Sequence, residues 1–161
     1  TMHLRDATSG LIKIKDQGAR GLLQTDTVAL ISAQRLVRRL CKKCRVEETP
    51  DDDASAFIER VSKLNGVAEA EGVFYAPQGC DKCHGGYLGR IGLFEILIPT
   101  PAIENALSAD APFETLQQLA ISEGMTTLCL DGIRKAAEGI TSLRELRRVT
   151  SDLPEARDSA I

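Results

Sequence analysis

The chain has 161 residues, of which 43% are hydrophobic and 27% charged, and its formal net charge is -3. This composition excludes collagen-like, fully disordered and coiled-coil chains, and its mild acidity argues against bulk binding of nucleic acid. No apolar run approaches the roughly 18–20 residues that span a bilayer, and no charged-then-apolar leader opens the sequence. The first residue is Thr1 rather than Met, so we expect the chain to be part of a longer protein.

Between residues 22 and 40, apolar side chains recur mostly three to five positions apart. This spacing predicts an amphipathic helix over at least 26–40, with Asp26 as its N-cap. Residues 35–45 (RLVRRLCKKCR) carry six basic side chains, and residues 47–53 (EETPDDD) carry five acids and a proline. Such a reversal of charge predicts a loop that leaves the helix.

The middle of the chain alternates a helix with short strands. Residues 54–64 (ASAFIERVSKL) predict a short helix that stops at Asn65-Gly66. Residues 73–75 (VFY) are a short strand candidate, and residues 90–98 (RIGLFEILI) are a stronger one, ended by Pro99.

From Thr100 onward the pattern is helical. Thr100-Pro101 predicts the start of a helix that runs to about Leu107, and a second helix follows residues 110–112 and stops at Gly124. A third is predicted over about 127–138, and a fourth begins after Thr141 or Ser142, where residues 142 and 145 have capping-box spacing. The tail after residue 150 lacks periodicity and is expected to fray.

Two C-x2-C units are separated by 35 residues. Together they supply four thiolates, which is the complete ligand set of a closed tetrahedral zinc site. Zinc ribbons usually place the two pairs about 15–20 residues apart, and the helix predicted over 54–64 accounts for the longer separation. We therefore predict that Cys41, Cys44, Cys80 and Cys83 hold a structural Zn2+, with no open position for catalysis.

Other roles for these residues stay open. The four cysteines could form two disulfides, but nothing indicates secretion, and intracellular thiols stay reduced. A redox role is disfavoured because neither pair lies in a strand-to-helix turn of a thioredoxin-like unit. His84 could replace one ligand, although four cysteines already complete the shell. Cys129 stands alone in an apolar helical stretch and is predicted to be a buried structural thiol.

Three segments of the chain carry a family resemblance. Residues 33–41 read AQRLVRRLC, residues 79–97 read GCDKCHGGYLGRIGLFEIL, and residues 123–150 begin with EGM and end with RVT. In this order they resemble the secretion or traffic ATPases of type II secretion and type IV pilus assembly. The second segment is one residue shorter than the family's between His84 and Tyr87.

The resemblance implies an α/β fragment, namely the C-terminal part of a RecA-like ATPase domain, mostly helical, with a small zinc-binding subdomain built on four cysteines. It divides the chain into four segments. These are the end of the RecA-like core (1–40), a zinc-binding subdomain with a helical insertion and a closing strand (41–98), a C-terminal helical subdomain (99–150) and a flexible tail (151–161).

Residues 1–7 (TMHLRDA) are similar to the family's TLHTNDA histidine box, whose histidine lies near the nucleotide phosphates and helps couple hydrolysis to motion. The resemblance implies this role for His3, although Leu4 and Arg5 replace the family's Thr and Asn. No G-x-x-x-x-G-K-[ST] occurs in the sequence, so it contains no cradle and no lysine for nucleotide phosphates. We expect the chain alone not to hydrolyse ATP, and ATP and Mg2+ would be cofactors of the parent ATPase only.

By resemblance, the chain is expected to be the C-terminal zinc-binding portion of a hexameric ATPase that powers type II protein secretion or type IV pilus assembly. Its expected partners are other copies of the ATPase and the inner-membrane secretion or pilus platform proteins. The expected location is the cytoplasm, peripheral at the inner membrane through those partners and without direct insertion. Arg35, Arg38 and Arg39 are candidates for contacts between subunits.

Other functions fit the same sequence. A DNA-uptake ATPase would share the motifs, and so would a stand-alone remnant that regulates a complete ATPase. A different class of function is a zinc-ribbon module that binds nucleic acid or protein through residues 35–45. The scarcity of aromatic residues near that stretch argues against a surface that stacks single-stranded bases, so nucleic acid is not the expected partner.

Overall fold

The structure is a computed structural model that describes residues 4–19, 21 and 27–156. Within these residues there are six α-helices, four strands and a short 3-10 helix. In chain order they are α1 (Ala7–Asp16), β1 (Ile31–Leu40), β2 (Arg45–Glu47), α2 (Asp52–Leu64), β3 (Tyr75–Pro77), β4 (Tyr87–Leu97), α3 (Pro101–Ser108), α4 (Phe113–Ser122), α5 (Leu128–Ala137), α6 (Leu143–Thr150) and the 3-10 helix (Pro154–Ala156). In this part of the chain, each helix is too short or too polar to cross a bilayer.

The elements form a small α/β protein with two compact units. Unit 1 combines the described residues up to Gln34 with Phe94–Thr127, and unit 2 combines Arg35–Leu93 with the described residues from Leu128 onward. Each unit therefore takes two separate stretches of chain, whereas the four predicted segments follow the chain continuously. The predicted segment boundaries stay a prediction.

The helix predicted over 26–40 is wrong for its described residues, because 31–40 form strand β1, paired with β4. Buried Ile31, half-buried Ala33 and buried Val37 alternate with exposed neighbours, which is the period of a strand. Leu36, which the helical spacing counts as apolar core, is 52% exposed. The partner strand begins 47 positions after Leu40, so nothing near this stretch in sequence reveals the pairing. The predicted N-cap Asp26 lies outside the described residues.

Unit 1 packs α1, α3 and α4 around an aliphatic core. Its buried members are Ala7, Leu11, Ile31, Leu97, Ile103, Leu107, Leu116, Ala120 and Met125. The predicted start of α3 is confirmed, since the Thr100 side chain accepts the Ile103 N–H at 3.3 Å and Pro101 occupies the first turn. Strand β4 supplies a buried carboxylate, because Glu95 Oε1 accepts the Ala7 N–H at 2.8 Å. Helix α1 is thus tied to β4 at its first residue.

Unit 2 contains α2, α5, α6 and the pair β2–β3. Helix α2 confirms the prediction over 54–64 and ends at the C-cap Asn65. The antiparallel strands β2 and β3 pair Arg45 with Pro77 and Glu47 with Tyr75. The strand predicted at 73–75 is therefore displaced, since only Tyr75 belongs to β3. Helix α5 ends before Gly139, whose φ of 68° is a left-handed conformation that glycine adopts without strain.

The prediction that the tail frays after residue 150 is wrong for its described part. Residues 154–156 form the 3-10 helix, and Leu153 is fully buried. This short helix packs against α2 within unit 2. A single buried leucine has no periodicity to reveal it, so the sequence pattern could not show that this segment docks.

A buried carboxylate connects β1 to α6 within unit 2. Glu145 accepts hydrogen bonds from the Arg38 backbone N–H at 3.2 Å and from the Arg38 guanidinium at 2.6 Å. Arg148 donates two further bonds at 2.8 and 2.9 Å. Burial alone would raise the pKa of Glu145, but the hydrogen bonds from Arg148 and Arg38 lower this pKa to about 2. Ser142 caps α6 as predicted by accepting the Glu145 N–H, while the carboxylate bonds the two arginines.

Replacing Gly132 with Ala tests the packing of α5 on α6. Intrinsic helix propensity favours Ala by about 1 kcal/mol, but a Cβ at this position would overlap the Leu146 side chain. We expect the overlap to dominate and the free energy of unfolding to fall by about 1–3 kcal/mol in urea titrations. Arg134→Ala, on an exposed position of the same helix, is the control and should change stability little. A Gly132→Ala variant as stable as the wild type would contradict this packing.

Replacing Glu145 with Gln tests the buried carboxylate. At neutral pH we expect the free energy of unfolding to fall by about 1–3 kcal/mol, because both arginines lose a charged acceptor. Since the pKa of Glu145 is lowered from 4.5 to about 2, its contribution is complete above the first value and disappears as the pH falls toward the second. In urea titrations, the difference in free energy of unfolding between wild type and variant should therefore become smaller as the pH falls through this range. The matched control is Glu59→Gln at an exposed position of α2. A difference in stability that does not depend on pH would contradict the assignment.

Candidate metal centre

Four cysteines converge in unit 2. The sulfurs of Cys41, Cys44, Cys80 and Cys83 all lie within 4.8 Å of one another, and this is a group of possible metal ligands among the described residues. In the sequence, 35 residues separate the two pairs. In the fold, Cys41 Sγ is 3.9 Å from Cys80 Sγ, and Cys44 Sγ is 3.6 Å from Cys83 Sγ. The fold thus brings together all four predicted ligands.

Local turns and one long-range contact position the thiols. Each C-x2-C unit closes a turn, with the Cys44 N–H donating to the Cys41 carbonyl and the Cys83 N–H to the Cys80 carbonyl. The two C-x2-C turns are also connected, because the Cys41 N–H donates to the Gly86 carbonyl at 2.8 Å. Gly86 has φ 86° and lies so close to Pro77 that a Cβ would overlap the proline. A residue other than glycine at 86 would therefore push the second turn away from β3.

Hydrogen bonds to sulfur prepare the site for ionised thiols. The Cys80 N–H donates to Cys83 Sγ at 3.3 Å. Burial opposes ionisation of Cys83, but hydrogen bonds from the Cys80 backbone and the Cys80 thiol lower the pKa of Cys83 to about 7. For Cys44, burial and the hydrogen bond with Cys83 raise the pKa to about 12. Cys83 is thus more readily ionised than Cys44, and a bound cation would favour the ionised form of Cys44 near neutral pH.

The spacing of the sulfurs fits a tetrahedral metal ion. A tetrahedron with metal–sulfur bonds of about 2.3 Å has sulfur–sulfur edges of about 3.8 Å. Three of the six separations here are 3.6 to 3.9 Å, and all are within 4.8 Å. A disulfide needs about 2.05 Å, and all five cysteines are free thiols. The disulfide alternative is therefore wrong for this structure, and the four cysteines could hold a metal ion.

The remaining candidate residues lie outside this cluster. His84 is exposed and does not belong to the cysteine group, while its backbone forms an isolated bridge with Tyr87. Cys129 is fully buried in α5, as predicted. His3 lies outside the described residues, so its role as the nucleotide-site histidine stays a prediction.

The three arginines considered for contacts between subunits differ in their surroundings. Arg35 forms an ion pair with Asp152 at 2.8 Å, and Arg38 bonds Glu145. Arg39 is exposed and lines a cavity of about 310 Å³ with Lys42. Two of the three arginines, Arg35 and Arg38, therefore form ion pairs inside unit 2.

Sequence reasoning missed the polar network behind the second cysteine pair. The Tyr87 hydroxyl lies 2.8 Å from Ser142 Oγ, and the Arg38 guanidinium stacks 4.1 Å from the Tyr87 ring centroid. Thr141 Oγ1 donates to the Arg38 carbonyl at 2.9 Å. One signal was available: Glu145 stands between several arginines in the sequence, and a lone acid among bases is a candidate for an ion pair.

Comparisons with known proteins agree with these features. The sequence profile of the family described as "Type II/IV secretion system protein" matches residues 1–148. The chain is 35% identical to the type IV pilus assembly ATPase PilB of Pseudomonas aeruginosa, over 94% of this chain and 26% of that protein. It is 33% identical to the type II secretion system protein E of Xanthomonas campestris pv. campestris, over 94% and 26% respectively.

A third relative is the putative type II secretion system protein E of Escherichia coli K12, which is 32% identical over 94% of this chain and 29% of that protein. The chain thus spans about a quarter of the length of the curated relatives that it matches. The family profile covers nearly all of the chain, including both cysteine pairs. We conclude that the chain belongs to the type II/IV secretion system protein family.

Proposed function

We propose that the chain is the C-terminal, zinc-binding portion of a hexameric ATPase that powers type II protein secretion or type IV pilus assembly. The observation that carries this proposal is the match of the secretion-family profile over residues 1–148. Relatives named as pilus assembly ATPase and as secretion protein E match over 94% of the chain, so the matches are compatible with either system.

The metal in this proposal is a structural Zn2+ held by Cys41, Cys44, Cys80 and Cys83. Four thiolates with no open position favour zinc in a structural role. When bound, the ion would join the end of β1 to the turn that precedes β4 through metal–sulfur bonds. The hydrogen bonds from backbone N–H groups to sulfur support this assignment, because they stabilise the ionised thiols that the metal requires.

The ATPase activity in this proposal belongs to a longer parent protein. The chain contains no G-x-x-x-x-G-K-[ST] to cradle nucleotide phosphates, so we infer that it does not hydrolyse ATP alone. Residues 1–40 would be the end of a RecA-like core, with His3 beside the nucleotide. ATP and Mg2+ would bind to the parent.

The partners in this proposal are other copies of the ATPase and inner-membrane platform proteins, and its place is the cytoplasmic side of the inner membrane. The alternative of a zinc ribbon that binds nucleic acid through residues 35–45 loses support from the ion pairs inside unit 2. Arg35 bonds Asp152 and Arg38 bonds Glu145, so both would have to exchange an existing partner for a phosphate.

The zinc proposal is tested by elemental analysis of the untagged chain together with Cys80→Ser. We expect one zinc per chain, lost in the variant together with cooperative unfolding, because structural zinc contributes on the order of 10 kcal/mol in small modules. Cys129→Ser is the matched control, since it removes a thiol outside the cluster and should keep the metal. A chain that is metal-free and fully folded would contradict the proposal.

The ATPase proposal is tested on the longer reading frame that contains this chain. We expect that frame to encode a G-x-x-x-x-G-K-[ST] and the purified product to hydrolyse ATP in the presence of Mg2+, while the 161-residue chain releases no phosphate above the buffer blank. Replacing the lysine of that motif with Ala is the control. An in-frame start at this chain, without any upstream nucleotide motif, would favour the stand-alone remnant instead.

A further inference from the structure

The tips of the two cysteine turns carry exposed lysines. Lys42 and Lys43 lie between the cysteines of the first pair, and Lys82 lies between those of the second. Because the four sulfurs are within 4.8 Å of one another, the fold places the two turns that carry these lysines next to each other on unit 2. The sequence alone puts Lys82 about 40 positions from the other two, so the cluster exists only in the folded chain.

A fourth cation and an exposed leucine extend this surface along β4. Lys82, Leu88 and Arg90 line one cavity of about 500 Å³ beside Cys83. Leu88, near the start of β4, is 62% exposed. We call the set Lys42, Lys43, Lys82, Leu88 and Arg90 the knuckle surface.

Unlike Arg35 and Arg38, the cations of the knuckle surface have no ion pair within the described part of the chain. Arg35 and Arg38 are held by Asp152 and Glu145. Arg45 donates to the Gly139 carbonyl and stacks on Tyr75. The structure thus uses half of the basic stretch 35–45 internally and leaves the lysines between the cysteines available to a partner.

We propose that the knuckle surface binds the anionic headgroups of a lipid bilayer, with Leu88 inserting at the headgroup level. Clustered lysines and arginines are attracted to anionic lipids, and an apolar side chain among them adds contact with the acyl boundary. This proposal goes beyond the proposed function, in which the chain reaches the membrane only through partner proteins. It requires the surface to bind lipid without any other protein.

Three negative groups oppose this attraction, and one of them, Glu138, lines the smaller cavity together with Lys42. Asp81 lies next to Lys82 and also lines the cavity. A metal–tetrathiolate centre would be negative, but its sulfurs belong to buried or half-buried residues, whereas the lysines are exposed. With a Debye length of about 8 Å at physiological salt, charges behind the surface are screened more than those at the headgroups.

The surface favours a bilayer over a nucleic acid. No Phe or Trp occurs between residues 35 and 45 or in the second cysteine turn, so bases would find no stacking platform there. Tyr87, which lines the cavity, is buried and its ring is covered by Arg38. An exposed leucine contributes nothing to phosphate contacts, whereas it is what an interfacial anchor requires.

The test is sedimentation of the zinc-loaded 161-residue chain with vesicles of equal parts phosphatidylglycerol and phosphatidylethanolamine, and with phosphatidylcholine vesicles. We expect binding to the anionic vesicles alone, weakened by raising the salt from about 0.05 to 0.5 M. The variant Lys42→Glu/Lys43→Glu/Lys82→Glu should lower the partition coefficient by about a hundredfold. Leu88→Ser should lower it by about tenfold without changing the salt dependence.

The matched control is Lys63→Glu/Arg134→Glu/Arg144→Glu, which makes the same change in net charge at exposed positions of α2, α5 and α6. This control should bind the anionic vesicles like the wild type. Zinc content and circular dichroism establish that each variant is folded, and Leu88→Ser keeps the test decisive if the triple lysine variant does not fold.

Three results would overturn the proposal. One is the absence of binding to the anionic vesicles, and another is an equal loss in the control and the lysine variant, which would mean attraction by overall charge. The third is displacement of the chain from vesicles by short duplex DNA with the same dependence on the lysines. Each of these leaves the zinc and ATPase proposals intact, since their tests use metal content and phosphate release.

Discussion

The meeting of two distant cysteine pairs is the constraint on which the rest of unit 2 depends. Cys41 and Cys80 are 39 positions apart, and closing a loop of that length costs about 3 kcal/mol or more of chain entropy. The pairing of β1 with β4, the three-residue strands β2 and β3, and the bond from the Cys41 N–H to the Gly86 carbonyl oppose this cost. A metal bound by the four sulfurs would add to this stabilisation.

A second connection links this centre to the C-terminal helices of the same unit. Tyr87 follows the second cysteine turn and meets Ser142, which caps α6. Arg38 stacks on Tyr87 and bonds Glu145. The lowered pKa of Glu145 reports that the arginines outweigh the cost of burying its carboxylate. A chain of polar contacts therefore connects the second cysteine turn to α6.

The residues that sequence reasoning found and those that it missed differ in how local their signals are. The four cysteines are visible because each pair has the spacing of a metal knuckle, and the start of α3 is visible because Thr100-Pro101 is a start signal in itself. The Arg38–Glu145 pair joins residues 107 positions apart, so its two partners can be named only once the fold has brought them together. The same holds for the turn that carries Lys82, which lies next to the turn that carries Lys42 and Lys43 because the four cysteines converge.

The sequence by itself determined the helices of the second half, the four cysteines that could hold a metal ion and the family resemblance, because caps, glycine stops and C-x2-C turns act within a few residues. Tertiary structure decided that residues 31–40 are a strand rather than a helix, since their apolar spacing fits both periods and the pairing with β4 settles the choice. It also decided that Leu153 is buried. Likewise, it decided that Arg38 forms an ion pair with Glu145, whereas Lys42 has none within the described residues. The physical reason is the same in each case: burial and ion pairing depend on which distant residues become neighbours, and no local pattern encodes that.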